Sequence, residues 1–491
     1  MNAVNFICFF RLSLVGGKVK PDARCIAVQQ VWKHYSKMAS MWNGPGISIA
    51  TPVRHDALLP SHVDVVIIGG GIIGICTGLF LARKGLGAII VEKGRVAGEQ
   101  SSRNWGWIRQ QGRDEAELPI MMESIRLWEE LDARTGGATG FTRSGVVYLA
   151  STRKELDALE AWLPIATRHG LDSRLLGKAE VAQLVRRETG RHHEWAGATF
   201  TASDARAEPW QAVPALAELA AAEGVAIREN TAVRSLDIEA GQVRGVITEA
   251  GRISCQKVVL AAGGWSSLFL RNHGVSIPQL SVRATVVRTA PLPEFYCGNA
   301  VDDELAFRRR QDGGYTLALG ESHDHFLGPD SFRHFLAFLP TLKESLGITR
   351  LLPWAPSGFP DGWLTKRRWS ADEVSPFERC RVVEPVASPS AVRKMQRLFA
   401  RRFPELGEPT ILNAWAGMID TTPDIVPIVD HVPQLPGLFV ATGMSGHGFG
   451  IGPGFGRVIA DMIAGDDPGH DMSRFRFSRF GGGRPVPGPS L

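Results

Sequence analysis

The chain has little of what would mark a disulfide-stapled, metal-binding or nucleic-acid-binding protein. Its six cysteines (Cys8, Cys25, Cys76, Cys255, Cys297, Cys380) are widely scattered, with no C-x-x-C pair and no metal-ligand spacing. That usage argues against a disulfide framework and suits a reducing compartment. No long Lys/Arg block occurs, and a net charge of +5 over 491 residues is a small excess, so no nucleic-acid partner is expected. No internal repeat is apparent. Residues 1–60 show no sustained periodicity and carry only Asp22 and Asp56 as acids. The apolar run at 6–15 is interrupted by Arg11 and has no basic stretch before it, a poor match to a secretory signal. This segment reads as a disordered leader, or as a start set too far upstream with Met38 or Met41 as the true first residue.

What remains is globular, at 44% hydrophobic and 21% charged residues. The length exceeds one ordinary domain, which favours two interleaved domains. Residues 63–82 are nearly all apolar, with Asp64 the one charge, and are long enough to cross a bilayer. Five glycines inside the run favour a buried strand, a glycine turn and a packed helix instead.

From residue 63 the pattern is regular. Strands are predicted at 63–68, 88–91, 144–150, 225–228, 243–248, 257–262 and 438–442. Helices are predicted at 72–84, 115–135, 209–223 and 449–464, with two more amphipathic helices up to about Arg187. Residues 275–410 mix strands and loops without a readable order, and the Gly/Pro-rich stretch after 465 reads as a mobile tail.

Gly69-Gly70-Gly71-Ile72-Ile73-Gly74 fits G-x-G-x-x-G between a strand and a helix. Gly69 permits the tight turn, Gly71 lets backbone approach a pyrophosphate, and Gly74 allows close helix–strand packing. The anion is expected against the helix N-terminus. Glu92 ends the second strand 18 residues beyond Gly74, where an acid accepts hydrogen bonds from a ribose diol. The combination indicates an adenine dinucleotide and leaves open which one.

Four further segments, in order, carry a resemblance. They are Ser101-Ser102-Arg103-Asn104-Trp105-Gly106-Trp107, then Thr231-Ala232-Val233, then Val258 to Trp265 with Ala262-Gly263 at its turn, and last Thr422-Pro423-Asp424 with Gly443-Met444-Ser445-Gly446-His447-Gly448-Phe449. With the fingerprint, they resemble the D-amino-acid oxidase superfamily of FAD-dependent oxidoreductases, which includes glycine and sarcosine oxidases and D-amino-acid dehydrogenases, over about residues 63–465.

The resemblance implies an α/β fold: a Rossmann-like FAD-binding domain with a parallel sheet from residues 61–140, 195–270 and 411–465, and an interleaved α+β substrate domain with a mixed sheet from 141–194 and 271–410. It implies FAD contacts from Ser101, Ser102, Asn104, Trp105, Gly106, Val233, Ala262, Gly263, Trp265, Gly443, Ser445, Gly446 and Gly448, and oxidation of an amine or amino acid to an imine by hydride transfer, then hydrolysis. Oxygen or a quinone-type acceptor would take the electrons. Either a cytoplasmic protein or one peripheral to the inner face of a membrane is compatible, and homo-oligomerisation is left open. A flavoenzyme for a 2-hydroxy acid and a non-catalytic FAD-binding assembly protein are the rival expectations.

Three positions depart from the better-known members. Gly417 stands where sarcosine oxidases place the cysteine that holds flavin covalently, which implies non-covalent FAD. Gly450 stands where those enzymes carry a carboxylate-gripping lysine, and Ile419 where many relatives carry an arginine. Arg109 is therefore the first candidate carboxylate anchor, ahead of Arg308 and Arg283. Asp420 reads as a turn or cap residue, and His447 as a hydrogen bonder near the flavin. His192-His193 and His323 with His325 read as non-metal histidines.

Overall fold

A computed structural model describes residues 46–185, 194–320, 322–345, 347–356 and 358–480. Val65–Ile68 and Ala88–Val91 are short, wholly buried β-branched and apolar runs, the composition of central parallel strands. They sit inside a six-stranded sheet ordered Ile428–His431, Leu438–Thr442, Lys257–Leu260, Val65–Ile68, Ala88–Val91 and Ala226–Arg228. The pairings are parallel except at the first strand, which runs antiparallel.

Alternate residues face opposite cores. Val65 and Ile67 pack with the helices Ile72–Arg83, Leu118–Arg134, Pro209–Ala222 and Gly448–Ala464. Val66 and Ile68 pack on the other side, against Leu236, Trp265 and Phe269. The helix Gly448–Ala464 comes unusually close to its neighbours. A Cβ on Gly452 would lie 2.5 Å from Ile72, one on Gly454 2.7 Å from the Ile120 carbonyl, and one on Gly456 2.5 Å from Cys76.

A second sheet has ten strands, paired both parallel and antiparallel. Its centre is the long pair Leu280–Thr289 and Ile411–Thr421, antiparallel along their whole length. Residues 411–421 were expected in the FAD domain but belong to this sheet, because their ladder partner lies some 130 residues upstream and leaves no local trace. Gly197–Thr201 joins the same sheet, as does Ser173–Gly177, a strand where only helices were expected.

Both ends of the described chain are more ordered than their composition suggests. Residues from 46 onward lie against the nucleotide sheet, where the Glu229 carboxylate accepts the backbone N–H groups of Arg54 and His55. Residues 466–480, expected to be mobile, include two short 3-10 turns. Phe475 is fully buried against Phe455, and Arg479 pairs with buried Asp424 at 2.8 Å. An aromatic anchor and several ion pairs, Arg474 with Asp114 and His470 with Glu123 among them, fix a segment whose Gly/Pro content points to disorder.

Candidate active site

The fingerprint turn is shaped by contact with the neighbouring strand end. Gly69 has φ +113°, and a Cβ there would sit 2.5 Å from the Ala261 carbonyl oxygen. Gly71 caps the helix Ile72–Arg83 with no side-chain cap, and the hydroxyl of Ser101 accepts the Ile72 N–H at 3.0 Å. Glu92 closes the turn from the far side. Its carboxylate accepts Gly70 N–H and Gly94 N–H, each at 2.7 Å. Burial raises the Glu92 pKa despite Lys93 beside it. Each of its oxygens keeps a lone pair for a ribose hydroxyl.

These groups form one end of a cleft of about 330 Å³ that runs between the two sheets. Gly69, Gly71, Glu92, Ser101, Asn104, Trp105, Val233, Ala262, Gly263, Trp265, Ser445, Gly446, Gly448, Arg109 and His447 all line it. Four expected residues do not. Gly74 lets the helix start close against the turn, since a Cβ there would clash with the Gly69 carbonyl oxygen. Ser102 is buried and turned toward the Glu99 carbonyl. Gly106, at φ +80°, abuts the Ala207 carbonyl, and Gly443, at φ +69°, abuts Thr422. These four shape the walls from behind.

The cleft suits an FAD. Gly71 offers open backbone, since a Cβ there would meet only the Ser101 hydroxyl, at 3.1 Å, within 4 Å. A helix N-terminus opens onto the cleft as a pyrophosphate would need, and the half-buried Glu92 carboxylate stands beside it as a ribose would need. At the opposite end the helix Gly448–Ala464 begins at His447. Its positive end suits negative charge on a ring bound there.

That far end holds a chain of charged groups. Arg109 Nη1 donates to the carbonyls of Gln111 and Gly112, and Nη2 lies 3.1 Å from His447 Nε2. A guanidinium can only donate, so Nε2 accepts and the ring proton sits on Nδ1, 3.4 Å from Glu117 Oε2. Burial pushes the His447 pKa down to about 4, so the ring is neutral at pH 7. Burial opposes ionisation of Glu117 too, but His447 and Arg113 hold its carboxyl below the ordinary range. Arg113 reaches Glu117 at 2.8 Å. Arg109 itself makes no salt bridge with an acid among the described residues.

The other two arginines are committed elsewhere. Arg308 is bound bidentately by Glu208 at 3.0 and 3.1 Å, both side chains being about 1% exposed, and it does not line the cleft. Arg283 is bound by Asp324 at 2.6 and 3.1 Å. Neither is free to grip a substrate, so both expectations are corrected by these ion pairs.

Asp420 is not a turn or cap residue. It lies inside the strand Ile411–Thr421, accepting from Gln100 at 3.0 Å, Gln279 at 2.8 Å and Gly443 N–H at 2.8 Å. It ties the short helix Gln100–Arg103 to the Gly443 turn, and burial raises its pKa. The departures from the relatives also have local causes. A Cβ at Gly450 would lie 3.1 Å from Ile108 and 3.3 Å from Arg113, so any side chain there would crowd its neighbours. A Cβ at Gly417 would lie 3.1 Å from Arg103.

Sequence reasoning missed Tyr148 and His323, which also line the cleft, and the Arg113–Glu117 pair beneath His447. Tyr148 stands on a predicted strand next to Arg109, whose guanidinium carbon is 6.0 Å from its ring, but nothing local pairs the two. His325 is held by the Ser281 carbonyl and the Ser331 hydroxyl, each at 2.9 Å. Among the described residues no group of three His, Cys, Asp or Glu side chains is placed to hold a metal. His192 and His193 lie outside the described residues.

Residues 64–462 match the family model "DAO: FAD dependent oxidoreductase". The chain belongs to this family. Among solved structures it is similar to an L-amino acid deaminase from Proteus myxofaciens in complex with anthranilate. The TM-score is 0.82 at 29% identity, covering 88% of this chain and 97% of that one. Among curated proteins it is similar to the mitochondrial pyruvate dehydrogenase phosphatase regulatory subunit of Mus musculus, 27% identical over 447 residues, which is 90% of this chain and 46% of that protein. It is also similar to the 4-methylaminobutanoate oxidase (formaldehyde-forming) of Paenarthrobacter nicotinovorans, 26% identical over 437 residues, 89% of this chain and 48% of that protein. The chain thus spans about half the length of these two curated relatives.

Proposed function

We propose that this protein oxidises the carbon–nitrogen bond of an amino acid, with the substrate carboxylate on Arg109 and FAD held non-covalently along the cleft. The observation that carries the reading is the state of Arg109. It lines the cleft, is oriented by two backbone carbonyls and His447, and has no acidic partner. Nε–H and one Nη2–H remain as a side-on fork, the geometry that matches a carboxylate.

FAD, when bound, supplies the hydride acceptor. Around it, His447 fixes the plane of the Arg109 guanidinium and, being neutral, adds no competing charge. Trp105, Trp107 and Tyr148 stand in edge-to-face contact at 5.4 and 6.4 Å and give the substrate end an aromatic wall that excludes water. Non-covalent attachment is supported by Gly417 and by the cleft wall, to which no cysteine among the described residues contributes. The solved relative bearing anthranilate, a carboxylate with an amine, supports the choice of an amino acid over a simple amine.

Anaerobic flavin bleaching by a panel of D- and L-amino acids, N-methyl amino acids, simple amines and 2-hydroxy acids tests the reading. Fast bleaching by one class of amino acid is expected. Fast bleaching by a hydroxy acid alone would overturn it. The similarity to a phosphatase regulatory subunit favours a second reading, an FAD-binding protein without turnover. A yellow protein that no member of the panel bleaches would establish that alternative.

A further inference from the structure

The loop that carries Arg109 wraps around its own guanidinium. Nη1 donates to the carbonyls of Gln111 and Gly112, only two and three residues further on. Gly112 has φ +73°, and a Cβ there would meet Nη1 at 2.9 Å. The direction of the guanidinium therefore follows from the backbone of residues 109–112. A tilt of one peptide plane in that stretch would turn the fork away from a bound carboxylate.

That plane is held at both ends. In the peptide that joins Arg109 to Gln110, the carbonyl accepts Arg113 Nε–H at 2.6 Å, and the N–H donates to Asp204 Oδ1 at 2.7 Å. Gln110 Nε2 donates to the same oxygen at 3.1 Å. Arg113 is itself fixed by Glu117 at 2.8 Å. The next side chain, Gln111, is held by the hydroxyls of Thr199 and Thr201 on the strand Gly197–Thr201.

Asp204 is a rigid support for this plane. Its backbone carbonyl accepts Gly145 N–H at 2.9 Å and Ser144 N–H at 3.3 Å. The strand Ala205–Arg206, which follows it, lies between Trp107–Ile108 and Thr142–Arg143. The side chain is fully buried and does not line the cleft, so it touches nothing bound there. Its Oδ2 has no hydrogen-bond partner among the described residues. Burial pushes its pKa up to about 7, against the hydrogen bonds from Gln110 and the charge of Arg109. An acid buried in this way is a cost to the fold, and such groups cluster at functional sites.

We propose that Asp204 is a positioning residue for the carboxylate anchor. With Arg113 it clamps the Arg109–Gln110 peptide, and so sets the angle at which the Arg109 fork meets the substrate. That role rests on Arg109 being the anchor, as proposed above.

A double-mutant cycle tests the two separately. Wild type, Arg109→Met, Asp204→Ala, Asp204→Asn and the two double variants are compared as full flavin-loaded chains. The readout is anaerobic flavin reduction by the best amino acid, taken as the reduction rate constant over Kd. Asp204→Ala should lose about 30- to 100-fold, the cost of a loosened anchor. Asp204→Asn keeps an acceptor without the charge and should lose only about three- to fivefold. On top of Arg109→Met, either substitution should cost no more than about twofold, because no fork remains to be positioned. Asp204 variants that match wild type would overturn the role. So would losses that persist undiminished in the Arg109→Met background, since they would belong to the fold alone. If Asp204→Ala does not retain flavin, Asp204→Asn decides by the same comparison. An Arg109→Met variant as fast as wild type would instead remove the anchor, and the role of Asp204 with it.

Discussion

Replacing Arg109 with methionine keeps most of the side-chain volume and removes the guanidinium from the cleft. Both N–H groups of Nη1 are spent on the Gln111 and Gly112 carbonyls, and one of Nη2 on His447. Two N–H groups remain for a carboxylate. Charge-assisted hydrogen bonds contribute about 1.5–3 kcal/mol each, so a two-pronged contact is worth roughly 3–6 kcal/mol. Arg109 is only half-buried, which favours the lower part of that range, about 3–4 kcal/mol, or about 100- to 1,000-fold in kcat/KM. Lysine keeps the charge without the fork and should recover only part of the loss. The assay is anaerobic stopped-flow reduction of the flavin by an amino acid and by its decarboxylated amine. The penalty should fall on the amino acid and nearly vanish for the amine. An equal loss with both substrates, at full flavin content, would refute the anchor.

Three further outcomes are expected. His447→Gln isolates the one histidine beside the anchor, whose pKa falls from an ordinary 6.5 to about 4 on folding. Between those values the unfolded chain takes up a proton that the folded protein refuses, so His447 costs stability as pH drops. The stability of wild type relative to His447→Gln should decline by about 3 kcal/mol from pH 7 to pH 4 in urea titrations, and a flat difference would contradict the burial argument. Arg308→Met removes the two-pronged partner of the buried Glu208 carboxylate and leaves it Arg206 at 3.7 Å and the Gln311 N–H, so it should cost about 2–3 kcal/mol by the same measurement. Gly69→Ala forces a methyl to 2.5 Å from the Ala261 carbonyl and should yield folded protein with little flavin absorbance at 450 nm or thereabouts.

The nucleotide half was legible because its signals are local. Gly69, Gly71 and Gly74 punctuate a buried strand and a helix, and the predicted limits 72–84 and 88–91 match the observed Ile72–Arg83 and Ala88–Val91 closely. The position of Arg109 on the cleft wall was readable for a similar reason, since it stands just after the loop that lines the cleft. The rest depends on partners far along the chain. Ile411–Thr421 owes its sheet to Leu280–Thr289, and Asp420 owes its role to Gln100, Gln279 and Gly443, none of them within 20 residues. Arg308 and Arg283 look like Arg109 in sequence, and only Glu208 and Asp324 distinguish them. No periodicity records an ion pair. Phe475 likewise sits in a stretch whose composition indicates disorder, and its burial together with ion pairs to Asp424, Asp114 and Glu123 outweighs it.

The central claim is tested most directly by one anaerobic turnover of the yellow protein with its best amino acid, measuring flavin bleaching and released products together. The account predicts one molecule of amine or ammonia and one of the corresponding carbonyl compound for each flavin reduced. Bleaching without release of nitrogen, or no bleaching by any nitrogen compound, would contradict it.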